Sequence, residues 1–272
     1  MQKKYIIHQD NLNIDLLGYY GYSDSQLTYA KKSDDVLNEV RDYVSKNERI
    51  DTNEIMKRMF PIDDPHIFIS HKSEHASDAI RLANVLYDKF NIISFIDSQV
   101  WHHIDEVSNI INNKISKIRE SGETITYSHK STSIVASNMF AMLSSSLFEV
   151  MDCSDGFIYI DSNKNNQIDE IDKGNVKSLK TQSPWIFLEM TYASKLRKKM
   201  HKRPSMRLAE DAMLKGRVGI ESLSTRQKIE FDYSKEIIES VTISSIKNAI
   251  SLPKNNSHPL YNLDNIYRVL DS

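Results

Sequence analysis

The chain has 272 residues, 40% apolar and 26% charged, with a formal net charge of −2. That is enough apolar material for one large domain, or for one domain with appendages, and the near-neutral charge provides no global field favouring nucleic acid or an anionic membrane. The single cysteine, Cys153, excludes an internal disulfide and a cysteine-rich zinc site, and suits a reducing cytoplasm.

The first ten residues carry two lysines but only a short apolar run, which does not fit a signal peptide. No window is expected to reach the roughly 18 apolar residues of a membrane helix. Residues 1–64 read as an N-terminal helical extension, an arm docked on the main domain. Asp34 and Asp35 open a helical pattern in which Val36, Leu37, Val40 and Tyr43 share a face. Asp51 and Thr52 cap a second short helix carrying Ile55, Met56 and Met59, and Pro61 and Pro65 bracket a linker.

The main domain is expected over residues 65–252, with its core at about 65–200. Ile67 to Ile69 form a short apolar run closed by Ser70, His71, Lys72, Ser73 and Glu74, the pattern of a buried parallel strand at its C-terminal end. A helix follows, with Ala79, Ile80, Ala83, Leu86 and Phe90 on a stripe broad enough to cover a sheet. Ile92 to Ile96 form a second strand, ended by Asp97 and Ser98. A strand–helix–strand unit of this length implies parallel strands. Ligands bind outside the C-terminal ends of such strands. After Trp101, a helix is expected with Ile104, Val107, Ile111, Ile115 and Ile118 on its inner face, then a polar loop over 121–131. A further helix carries Val135, Met139, Leu143 and Leu147, whose spacing marks them as core. Gly156 to Ile160 read as a third central strand.

Residues 161–172 imitate a calcium loop, with oxygen-bearing side chains at alternate positions. The sixth position is Asn166 where such a loop needs Gly, and the twelfth is Asp172 rather than Glu, so an ordinary surface loop is the favoured reading. Ser183 is an N-cap and Pro184 the first helical residue of the next helix. On that helix Glu189 lies one turn from Trp185 and one from Tyr192, among apolar neighbours. A carboxylate there needs either a catalytic task or an ion pair. The basic run at 195–199 suits a helix C-terminus. Beyond it, 228–233 alternate as an edge strand, Thr242 or Ser244 caps a helix through Ile246 and Ile250, and 253–272 form a closing segment with a helix from Leu260 to Leu270.

Together these motifs resemble a TIR (Toll/interleukin-1 receptor) domain. The resemblance rests on Ile67-Phe68-Ile69-Ser70-His71-Lys72-Ser73-Glu74, on Ser94-Phe95-Ile96-Asp97-Ser98 with Trp101, and on Ser183-Pro184-Trp185 with Glu189. Ile55-Met56 to Phe60-Pro61 and Ser131-Thr132-Ser133, with the Met-rich helix after it, narrow it to bacterial stand-alone members of the Thoeris anti-phage type. It covers residues 50–200 well. Ile134-Val135-Ala136 departs from the His-Val-His expected in related members. The resemblance implies an α/β, flavodoxin-like parallel sheet flanked by helices, with an N-terminal helical extension and inserted segments.

It also implies an NAD+ glycohydrolase or cyclase that makes a signal nucleotide for a separate effector protein, in a cytoplasmic homo-oligomer assembled through TIR–TIR contacts. NAD+ is then a substrate, with no cofactor, metal, nucleic acid or membrane required. Glu189 is the implied catalytic residue. Phe68, Ile69, Ser70 and His71 form one wall of the implied pocket, Asp97 and Trp101 the other, and Trp185 and Tyr192 flank Glu189. Two other classes remain open: a non-catalytic TIR interaction module, and a nucleoside deoxyribosyltransferase-like enzyme with the same type of sheet and a catalytic Glu.

Overall fold

The computed structural model describes residues 3–12, 21–30, 33–60, 64–96, 104–121, 124–161, 178–181, 183–196, 231–234, 238–256 and 258–272. The fold is α/β. Its centre is a five-stranded parallel sheet built from β1 (Lys3–His8), β2 (Ile67–His71), β3 (Ser94–Ile96), β6 (Gly156–Asp161) and β9 (Glu239–Val241), in the order β3-β2-β6-β1-β9. All residues of β2, β3 and β6 are buried, as expected for strands covered on both sides. The arrangement is consistent with a flavodoxin-like fold.

β1 departs from the helical extension expected for residues 1–64. Residues 3–8 form a strand between β6 and β9, with Tyr5 opposite Ile158 and Ile7 opposite Ile160. A doubly wound sheet ordinarily fills that position with the next strand of the chain. Here the chain's first strand fills it. The two expected helices do form: α1 (Ser33–Lys46) and α2 (Thr52–Met59), the latter capped by Asp51, which accepts from the Asn53 amide at 2.8 Å.

Strand parity divides the core. Phe68, Phe157, Tyr159 and Ile6 point to one face, which α1, α2, α4 (Ile104–Ile115), α5 (His129–Cys153) and α6 (Pro184–Lys195) cover. Ile67, Ile69, Ile158, Ile160, Tyr5 and Ile7 point to the other, covered by α3 (Ala76–Phe90), α7 (Ile243–Ile250) and α8 (Pro259–Leu270). The caps match their sequence signals. Ser183 accepts from the Ile186 amide at 3.3 Å, and Thr242 from Ser245 at 3.2 Å. α3 ends at Asn91, whose φ of 56° is the left-handed conformation that Asn tolerates at a helix end.

Two side-chain networks fasten the ends of the chain. Asn84, 1% exposed, accepts from the Thr28 amide and donates to the carbonyls of Ser23 and Gln26, pinning residues 23–28 to α3. At the other end, Asp271 accepts from the Tyr5 hydroxyl at 2.8 Å and pairs with Lys3 at 2.5 Å, tying α8 to β1.

The region after α4 differs from expectation. The helix stops at Ile115, and the following residues form a hairpin of β4 (Lys117–Ser121) and β5 (Thr124–Tyr127) instead of more helix and a loop. Ile115 and Ile118, expected on the inner face, are 54% and 67% exposed. Ser116 explains the break: its hydroxyl donates to the Asn112 side chain, and its carbonyl accepts from the Ser128 amide at 2.8 Å, closing the base of the hairpin. The alternating strand expected near 228–233 is present as β8 (Phe231–Ser234), but it pairs antiparallel with β7 (Ser178–Thr181), outside the main sheet.

Among the described residues, α5 is long and apolar enough, by length and composition, to cross a membrane, which the sequence reading did not anticipate. One flank of α5 is core: Val135, Met139, Leu143, Leu147 and Met151 are buried.

Candidate functional site

The connection from β2 runs outward to β3, and the chain then returns across β2 to β6. That reversal is a topological switch point at the C-terminal ends of β2 and β6, the place where open α/β sheets form a ligand-binding crevice. Ser70 and His71 end β2 and Asp161 ends β6; all three are at most 3% exposed.

Parity decides which of these groups can act together. Phe68 faces the α5–α6 side, so Ser70 does too; Ile69 faces the opposite side, and so does His71. Glu189 comes to Ser70 from α6, whose Ile186, Met190 and Ala193 pack on that same face. The Ser70 hydroxyl donates to a Glu189 carboxylate oxygen at 2.5 Å, across 119 residues of chain, with Glu189 0% exposed. Burying a carboxylate is costly unless donors meet it, so this short bond is part of what makes the position tenable.

The same parity adds two residues that sequence reading did not place here. Tyr159 faces the α5–α6 side, hence so does Asp161, two residues on. Ile6 faces it, hence so does His8, which stands opposite Asp161 in the parallel register. The crevice face therefore gathers a hydroxyl, two carboxylates and an imidazole. The missed signal was the alternation Lys4, Ile6, His8 against Tyr5, Ile7, a strand pattern ending in a polar residue. Asp161 was visible only as the first residue of the calcium-like stretch, whose positions 162–172 lie outside the described residues. Among the described residues, no cluster of three or more His, Cys, Asp or Glu is arranged to hold a metal ion.

The other expected site residues fall elsewhere. Phe68 is 0% exposed and sits between Phe95 and Phe157, at ring-centroid distances of 5.3 and 5.9 Å. Ile69 is equally buried, in the opposite half of the core. Both serve packing in this conformation. Trp185 packs on Phe140 of α5 at 5.3 Å, and Tyr192 meets the edge of Phe148 at 5.2 Å. The two aromatic residues expected to flank Glu189 thus bind α6 to α5, while Glu189 turns to the strand end. Burial raises the Tyr192 hydroxyl above its usual pKa, so it stays a neutral donor at physiological pH. Asp97 and Trp101 lie outside the described residues.

A small apolar cavity of about 40 Å³ lies on the opposite side of the sheet, lined by Tyr5, Ile67, Leu86, Ala249, Ile266 and Tyr267 among others. Its lining is apolar and lacks convergent polar groups, so it is a packing gap rather than a site. The buried polar groups at the strand ends are the better guide to chemistry.

Comparison with known proteins yields no match to any family model, any curated protein or any solved structure.

Proposed function

We propose that the chain is a TIR-domain NAD+ glycohydrolase or cyclase, breaking the nicotinamide–ribose bond to make an ADP-ribose-derived signal nucleotide in bacterial anti-phage defence. The observation that supports this best is Glu189 held at the C-terminal end of β2 by the Ser70 hydroxyl. The resemblance of residues 50–200 to bacterial TIR proteins supplies the substrate.

The reaction passes through an oxocarbenium-like state, as glycoside hydrolysis does. The bond between the pyridinium nitrogen and the ribose anomeric carbon breaks with its electron pair going to nicotinamide, which leaves neutral. Positive charge then develops at the anomeric carbon. A carboxylate fixed beside it stabilises that charge and accepts hydrogen bonds from the ribose hydroxyls. Ser70 orients the Glu189 carboxylate. Water, or a nucleophile within the same molecule, adds to the anomeric carbon and gives up its proton, which yields linear or cyclic ADP-ribose. NAD+ is consumed as substrate and no cofactor takes part.

The test is nicotinamide release from NAD+ by the purified full-length protein, alone and with lysate of phage-infected cells. Wild type should release nicotinamide, and Glu189→Gln should do so at least about a hundredfold more slowly. Intact NAD+ with wild type under both conditions overturns the proposal.

The complete enclosure of Glu189 favours a second reading, in which the Ser70–Glu189 bond is a structural tie and the domain an interaction module. Equal NAD+ turnover by wild type and Glu189→Gln, with lower stability for the variant, would select it. Base exchange on deoxynucleosides, with NAD+ untouched, would instead assign deoxyribosyltransferase chemistry.

A further inference from the structure

β1 is the first strand of the chain, yet it lies between β6 and β9, one strand from the switch point. Backbone pairing accounts for the strand itself, which matches β6 in unbroken register from Lys3–Gly156 to His8–Asp161. It does not account for the side chain at its end. Tyr5, Ile6 and Ile7 are buried in the core, whereas His8 is half-buried and stands at the C-terminal edge, on the face that Glu189 approaches. Its Nδ1 is buried and meets no hydrogen-bond partner among the described residues. A buried ring nitrogen in that state weakens the fold, so its position calls for a reason outside packing.

The register supplies one. Ser70 is level with Tyr159 in β6, and Tyr159 with Ile6 in β1, so His8 lies two residues beyond Ser70 along the sheet and two strands away. At roughly 3.3 Å per residue and 4.8 Å per strand, the two backbone positions are about 12 Å apart. Glu189 is tied to the Ser70 end of that span. Glycosidases that admit a water between their two carboxyl groups hold them about 6.5–9.5 Å apart. The span, shortened by the reach of the side chains, leaves similar room for a ribose and an attacking oxygen. Asp161 is the neighbour of His8 in the same row and on the same face. A carboxylate one strand away favours imidazolium, the state a histidine reaches on accepting a proton.

Resting on the NAD+ reading of Glu189, we propose that His8 is the general base of the same reaction. Water or a substrate hydroxyl forms a C–O bond to the anomeric carbon as the C–N bond breaks and its electron pair leaves with nicotinamide. The proton of the attacking O–H passes to Nδ1 of His8. Asp161 stabilises the imidazolium, which returns the proton to the solvent that the half-buried ring reaches. Glu189 thus serves the anomeric carbon and His8 serves the nucleophile.

The test contrasts a nucleophile that must lose a proton with one that has none to lose. A general base assists water, whereas 3-acetylpyridine attacks through a nitrogen lone pair. Purified full-length wild type, Glu189→Gln, His8→Ala and His8→Gln are compared on NAD+, for hydrolysis and for exchange of nicotinamide by 3-acetylpyridine. Glu189→Gln should lose both reactions by about a hundredfold. The His8 variants should lose about a hundredfold in kcat for hydrolysis and far less in exchange. Imidazole in the buffer should restore part of the hydrolysis by His8→Ala. His8→Gln keeps a polar side chain at the strand end, so the same contrast is read there if His8→Ala unfolds. Equal loss of both reactions in the His8 variants makes His8 a structural residue and overturns the proposal, as does hydrolysis at the wild-type rate. In both of those cases the reading of Glu189 stands or falls separately, on its own variant. A wild type that leaves NAD+ intact overturns both.

Discussion

The two faces of the central sheet are packed by different rules. The face under α3, α7 and α8 stays apolar through Ile69 and Ile160, which are wholly buried hydrocarbon, and beyond Ile69 it carries the buried imidazole of His71. At its periphery Asn262 donates to the carbonyls of Phe90 and Asn255, and Asn84 holds the 23–28 segment. The face under α5 and α6 begins with an aromatic stack of Phe60, Phe95, Phe68 and Phe157 and ends in Ser70, Asp161, His8 and Glu189. Hydrophobic burial accounts for both faces at their base. The α5–α6 face carries a buried carboxylate tied by a hydrogen bond to the end of β2, and a protein selected for stability alone has little reason to build that.

The largest effects should be alike on the two faces. Phe68→Ala should cost about 3–5 kcal/mol and Leu263→Ala about 2–5 kcal/mol in urea unfolding, since each deletes a side chain 0% exposed in its half of the core. A marked asymmetry would mean that one half is not a load shared by the whole domain.

Next in size is the polar edge. Ser70→Ala should destabilise by about 1–3 kcal/mol, because it removes a donor from a buried carboxylate. Combining it with Glu189→Gln should give strongly non-additive losses in a double-mutant cycle. Additivity would break the claim that the two side chains act as one unit.

A smaller contrast appears with pH. Burial, and then the Asp271 carboxylate, raise the Tyr5 hydroxyl far above its usual 10.0. A folded-state value above the unfolded one contributes stability that is present below about pH 10 and lost as pH rises past it. Thermal unfolding from pH 8 to 11 should therefore show a declining Tm in wild type and a flatter profile in Tyr5→Phe.

The smallest effect should be a gain. Ala249→Val places methyl groups toward the cavity on the apolar face and should stabilise by about 0.5–1 kcal/mol if it fits without strain. A loss would show that the gap is already closed by side-chain adjustment.

Much of this fold is legible in the chain because local rules suffice for it. Period-3.6 stripes mark α3 and α5, a serine followed by proline marks the start of α6, and apolar runs closed by polar residues mark β2 and β6. What the sequence reading missed shares a cause. Lys3–His8 and Glu239–Val241 are short, lack strong turn signals, and become strands because a neighbour in the sheet offers paired backbone groups. The isoleucine spacing after α4 fits both a continued helix and the hairpin that forms, and the Ser116–Ser128 contact that decides between them is non-local.

The candidate site divides in the same way. Glu189 stood out in the sequence as a carboxylate among apolar neighbours, and Ser70 as the residue that ends a buried strand. Their meeting, the separation of Ser70 from His71 onto opposite faces, and the arrival of His8 beside Asp161 depend on strand parity and register, which only tertiary structure sets. Composition and periodicity determined that this chain folds as a covered parallel sheet, because burial follows from the order of apolar residues. Which polar groups share a crevice was decided by strands distant in sequence, because pairing fixes side-chain direction two residues at a time.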